Sequence, residues 1–135
     1  MATEILVNDG GAPARILPIV AGEAITAGDA LSVDTSGEVV KADTDLATGH
    51  VEYCVGFALT DTTSGSICDV ISGKGVILNI NCADVTAGKG LRVSNTAGRL
   101  EAVTGTLLDV IGHPCAVSLE DTGAAGLHKC VIISG

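Results

Sequence analysis

The sequence predicts an all-β fold, a small antiparallel sandwich or barrel built from two pseudo-repeated hairpin modules, with an extended N-terminal arm. Three observations lead there. Eighteen glycines divide the 135 residues into short runs rich in Val, Ile and Thr, bounded by Gly, Asp, Ser and Thr turns. The run VILNINC at residues 76–82 alternates, with Val76, Leu78, Ile80 and Cys82 on one face and Ile77, Asn79 and Asn81 on the other, as a half-buried strand does. Finally, ITAGDALSVDTSG (residues 25–37) and VTAGKGLRVSNTAG (residues 85–98) follow one pattern at a period near sixty.

Residues 1–20 form the arm. It carries two apolar clusters, Ile5, Leu6 and Val7, then Ile16, Leu17, Pro18, Ile19 and Val20, with a glycine pair and a second proline, Pro13, between them. This segment fits poorly into the hairpin plan and cannot bury itself well alone.

Residues 21–135 form a single β domain that holds the two repeats, about 24–73 and 84–135. In each repeat a glycine, Gly28 or Gly88, suits a turn needing positive φ. Leu31 and Val33, like Leu91 and Val93, then point inward from the first strand. DTSG (34–37) and SNTAG (94–98) turn the chain into a second strand at Val39 and Val40 and at Leu100. Downstream, VGFAL (55–59) parallels IGHPC (111–115), LTDT (59–62) parallels LEDT (119–122), and VISG (70–73) parallels IISG (132–135). SICDVIS (66–72), PCAVSLE (114–120) and LHKCVIIS (127–134) supply further strands, with Pro114 marking an edge or a bulge. A helical turn at TDLAT (44–48) is the one helical element the sequence suggests. Between the copies, Asp29, Ser32 and Glu38 become Lys89, Arg92 and Arg99 while the inward positions stay apolar. Structure repeats; surface chemistry does not.

Hydrophobic residues make up 47% of the chain, yet it has one Tyr (Tyr53), one Phe (Phe57) and no Trp, so the core must be packed from small aliphatic side chains. The same deficit removes the aromatic platforms on which sugars and unpaired bases stack. A net charge of −9, from 16 acidic and 7 basic residues with no basic cluster, repels phosphate backbones and argues against direct nucleic-acid binding. The start, MATEILVNDGG, has no basic region ahead of an apolar core, and no later run reaches about 18 apolar residues, so neither a signal peptide nor a membrane span is expected. Five widely spaced cysteines without a CxxC pair point to free, mostly buried thiols and synthesis in a reducing cytoplasm.

Catalytic and metal-binding patterns are missing. His50, His113 and His128 stand apart in sequence and only the fold could bring one beside Cys54, Cys115 or Cys130, as a thiol nucleophile needs. Asp43, Asp45 and Glu52 crowd one loop without the ordered spacing of a calcium site. No phosphate-cradling glycine loop and no GxSxG elbow occur. GKG at 73–75 and 88–90 puts a lysine on two turns, as carrier domains do, but neither has the flanking residues of a modification signal. The expectation is a protein with no enzyme activity, no cofactor and no metal.

The order AGEAITAGDALSVDTSGEVVKA, VGFALTDTTSGSICDVISGKGVILNI, DVTAGKGLRVSNTAGRLEAV and VIGHPCAVSLEDTGAAGLHKCVIIS resembles the head decoration, or capsid cement, proteins of tailed bacteriophages, over about residues 20–134. The resemblance implies a virion protein on the capsid exterior that binds the assembled major capsid protein, commonly as a homotrimer, and reinforces the head. On that reading Ile5, Leu6, Val7, Ile16, Leu17, Pro18, Ile19 and Val20 are expected to pack on the capsid or on a neighbouring subunit, strand addition being one mode. The alternative is a small-ligand or carrier β-domain with no capsid role, which an intact-mass measurement of a modified lysine would reveal.

Overall fold

The computed structural model describes residues 5–8, 14–43, 54–103 and 114–133. They form strands only: β1 (Leu6–Asn8), β2 (Arg15–Val20), β3 (Ala30–Val33), β4 (Val39–Lys41), β5 (Gly56–Ala58), β6 (Ile67–Ser72), β7 (Ile77–Cys82), β8 (Gly90–Val93), β9 (Leu100–Ala102), β10 (Ala116–Ser118) and β11 (Gly126–Ile132). The turn suggested at residues 44–48 lies outside the described residues, as do Tyr53, His50 and His113.

Two sheets carry these strands. One has the order β2-β6-β5-β3-β4; the other has β1-β7-β11-β10-β8-β9. With β1 set aside, the second order repeats the first strand for strand. Each five-strand set also curls until its first and last strands meet: Cys82 pairs in parallel with Leu100, and Ala21, just after β2, in parallel with Val39. The molecule is therefore two small five-stranded barrels of one design, and the repeat in sequence is a repeat of whole modules.

Local chemistry explains the strands. In β7 the alternation expected from sequence holds, with Leu78, Ile80 and Cys82 buried and Ile77, Asn79 and Asn81 half-buried. Asp34 closes the first hairpin by accepting the Ser36 and Glu38 N–H groups at 2.9 and 3.0 Å, and the Ser94 hydroxyl closes the second by accepting Thr96 N–H at 3.0 Å. Pro114 precedes β10 rather than interrupting it, so this central strand starts two residues after the proline and keeps both ladders, to β8 and to β11.

The N-terminal segment is extended, and both its apolar clusters pair within the chain. β2 runs antiparallel to β6 from Arg15↔Ser72 to Val20↔Ile67, in the place that β7 holds beside β11. β1 covers the outer edge of β7, and Ile5 ahead of it is 2% exposed in the core. The structural repeat thus begins at β2, earlier than the sequence repeat.

Two apolar clusters hold the modules. Ala21, Ile25, Leu31, Val39, Ala58, Cys68 and Val70 fill the first barrel. The second barrel is filled by residues such as Leu78, Ile80, Leu91, Leu100 and Ile132, and its cluster continues into Ala30, Ala42, Phe57 and Ile71 of the first module. Strands β3 and β5, and β6 around Ile71, are accordingly buried on both faces: Ala58 points into its own barrel while Phe57 packs toward the other module. Burying apolar area at roughly 25 cal/mol per Å² makes this shared cluster what joins the halves.

Candidate functional site

The TAG turns that opened the two sequence repeats are built alike. Gly28 N–H donates to the Ala58 carbonyl and Gly88 N–H to that of Ser118, both at 2.8 Å. The Asp61 carboxylate accepts Ala27 N–H at 2.8 Å, and the Asp121 carboxylate accepts Ala87 N–H at 2.9 Å. These contacts give LTDT and LEDT their meaning: each aspartate pins a TAG turn to its barrel.

Their surroundings differ. The first turn docks on the second module, where Asn81 N–H donates to the Gly28 carbonyl at 2.9 Å and Ala30 N–H to the Gly98 carbonyl at 2.8 Å. Asp29 is buried there; it accepts Thr26 N–H at 2.9 Å and the Asn81 side-chain amide at 3.2 Å, and Arg99 Nε donates to the same Asn81 at 3.4 Å. Gly98 packs so close that a Cβ would sit 2.9 Å from the Asp29 carboxyl carbon. The second turn, from Thr86 to Lys89, is exposed and touches nothing comparable among the described residues.

Burial pushes the Asp29 carboxyl above its ordinary value of 3.8, against the bonds from Thr26 and Asn81 that favour its charged form. A carboxyl raised by folding holds its proton more tightly folded than unfolded. Its contribution is fully present below the unfolded pKa and is lost as pH rises through the folded one. Urea denaturation of wild type and Asp29→Asn across the acid range should show wild type gaining stability relative to the variant as pH falls through that window. A difference that stays constant with pH contradicts this reading.

Of the arm residues, Ile5 belongs to the chain's own core, Leu6 packs against it, and Ile19 packs against the first barrel's interior. Val7, Ile16, Leu17, Pro18 and Val20 remain exposed, and Ile67, paired with Val20, is exposed beside them. Ala21 N–H donates to Ser66, next to β6, so the alternation of an antiparallel ladder turns Ile16, Pro18 and Val20 toward the open edge. Pro18 lacks the N–H that Asn79, its counterpart in β7, donates to Ile5. A proline in mid-edge blunts this strand against a continuous added ladder.

Among the described residues His128 is the one histidine that a thiol could use. All five cysteines are free, four of them buried. The Cys54 and Cys130 thiols donate to the Gly56 and His128 carbonyls, and the contacts of Cys54 with Cys115 and of Cys130 with Cys82 hold Cys54 and Cys130 well up and Cys115 and Cys82 down; burial raises Cys68. The His128 ring meets the Ala124 carbonyl at 2.8 Å and Glu120 at 3.5 Å, leaving neither nitrogen for a thiol. Lys74 and Lys89 both lie on exposed turns. Among the described residues no group of three His, Cys, Asp or Glu side chains converges on a metal position.

No family model matches the chain, and no curated protein matches it. Among solved structures, the crystal structure of the N base of head fiber gp8.5 from bacteriophage phi29 is similar, with a TM-score of 0.60 at 14% identity, covering 89% of this chain and 94% of that one. Nearly the whole of both chains shares one fold.

Proposed function

We propose that this protein is a structural component of a phage head, attached to the capsid exterior, which decorates and reinforces the assembled major capsid protein as a homotrimer. The observation that carries this reading is the fold shared end to end with the base of a phage head fiber. The order of motifs along the sequence supports it independently, since it resembles the capsid cement proteins. The work is adhesion. A protein that binds only the assembled lattice stabilises that lattice by mass action, and many copies multiply the effect.

The exposed residues Val7, Ile16, Leu17, Pro18 and Val20 supply contact surface to the capsid or to a neighbouring subunit. Truncating the arm cannot test this, because Ile5 and β2 are structural. The test is co-sedimentation of the purified chain with expanded heads and with procapsids of the phage that encodes it. Binding to expanded heads is expected, weakened about tenfold or more by Ile16→Ser with Leu17→Ser, in keeping with the loss of two partly buried anchors. Failure of the wild-type chain to sediment with either particle rules the function out; full binding by the variant removes these residues from the interface.

A further inference from the structure

We propose that copies of this chain join head to tail, the exposed turn from Thr86 to Lys89 of one copy docking on Val20, Ile67 and Glu38 of the next. The contact repeats between chains the one that joins the two modules within a chain. It rests on the homotrimer part of the proposed function, for which it names the surface, and not on capsid binding, because it concerns the free protein.

The internal contact has a donor side and an acceptor side. The donor is the first TAG turn, with Gly28, Asp29 and Ala30 buried. The acceptor is the second barrel, where Leu127 lies against Gly28, Asn81 bonds the turn, and Gly98 and Arg99 flank Asp29. Among the described residues each chain therefore also carries an unused donor, the second module's turn, and an unused acceptor, the first barrel's corresponding face. The strand registers fix the correspondence: Ile67 stands where Leu127 does, Val20 where Asn81 does, and Gly37 with Glu38 where Gly98 does with Arg99.

Exposure follows this division on both sides. Gly88 and Lys89 are exposed where Gly28 and Asp29 are buried, and Gly37 is exposed where Gly98 is buried. Ile67, at 57%, is the most exposed large apolar side chain among the described residues, whereas Leu127 is half-covered. Val20 N–H faces the open edge, as Asn81 N–H faces the Gly28 carbonyl. A flexible apolar side chain, an edge N–H and an open glycine thus wait for a turn of the shape that Gly88 provides.

Charge identifies the occupant. Inside the chain a negative turn, Asp29, meets a positive rim, Arg99, through Asn81. Between chains both signs invert together, Lys89 on the turn and Glu38 on the rim. Two independent reversals that preserve attraction match a second copy of this chain, and they also discriminate: a Lys89 turn is repelled by the Arg99 rim, and an Asp29 turn by the Glu38 rim. Because donor and acceptor are different surfaces, the interface is heterologous, so it propagates into a ring when the rotation closes.

Native mass by sedimentation equilibrium tests this on the full chain. Wild type is expected at a multiple of 13.4 kDa. Lys89→Glu, Glu38→Lys and Ile67→Asp should each weaken self-association about tenfold or more, with unchanged circular dichroism and melting of the monomer, since all three sites lie on the surface. Lys89→Glu combined with Glu38→Lys should restore the wild-type mass, which a merely disturbed fold would not do. A monomeric wild type, a wild-type mass retained by Lys89→Glu and Ile67→Asp, or no recovery in the double variant would overturn the proposal.

Discussion

Replacing Phe57 with alanine is expected to destabilise the protein by about 3–5 kcal/mol, a large part of the roughly 5–15 kcal/mol that holds a domain together. Phe57 is the one phenylalanine of the chain and is 1% exposed. Its strand, β5, is buried at all three positions, with Gly56 against the Val70 side chain and Ala58 inside the first barrel. The ring therefore fills space between the modules, and small aliphatic neighbours cannot collapse into the hole. Its counterpart Val117 is half-buried, so Val117→Ala should cost distinctly less. Chemical denaturation checks both; a loss below about 1 kcal/mol for Phe57→Ala would mean that the modules do not share a core.

The second large effect separates two glycines of nearly identical geometry. Gly28 and Gly88 have φ of 90° and 86°, so alanine at either meets backbone strain of about 1–2 kcal/mol. A Cβ at Gly28 would also run into Leu127 Cδ2 and approach the Asn79 carbonyl at 3.3 Å, whereas at Gly88 it meets nothing within 4 Å. Overpacking adds roughly 1–3 kcal/mol at the first site alone. Gly28→Ala should thus lower stability by about 2–5 kcal/mol and Gly88→Ala by about 1–2 kcal/mol, measured at dilutions where the chain is monomeric. Adding Leu127→Ala should recover part of the loss for Gly28→Ala. Equal costs at the two glycines would show that the first turn does not dock on the second module.

What could be read from sequence was local. The positive-φ glycines, the DTSG and SNTAG turns and the alternation in β7 all rest on interactions within a few residues, and each stands in the structure. The place of β2 could not be read the same way. Arg15 to Val20 shows no alternation because an edge strand exposes both faces, and its partner β6 lies about fifty residues on. Its likeness to β7 is erased because β7 presents Asn79 and Asn81 to the first module, while β2 presents Pro18 and Val20 to solvent. The buried Asp29 was hidden for a related reason: its partners sit on Asn81 and beside Gly98, and no spacing rule connects them. A trace was nevertheless visible, in the joint reversal of Asp29 to Lys89 and of Arg99 to Glu38. The aspartates of LTDT and LEDT stand parallel in the sequence, but only the hydrogen bonds from Ala27 and Ala87 give them a task.

The proposed attachment to a phage head is tested most directly on purified particles of the phage that would encode the chain. Intact particles are treated with an amine-reactive reagent too large to enter the head, then the chain is quantified and mapped by mass spectrometry. The expected result is a stoichiometric virion component labelled on Lys74, which lies on the exposed turn between β6 and β7. Absence of the chain from the particles, or its presence with Lys74 protected until the head is opened, would contradict an exterior structural role.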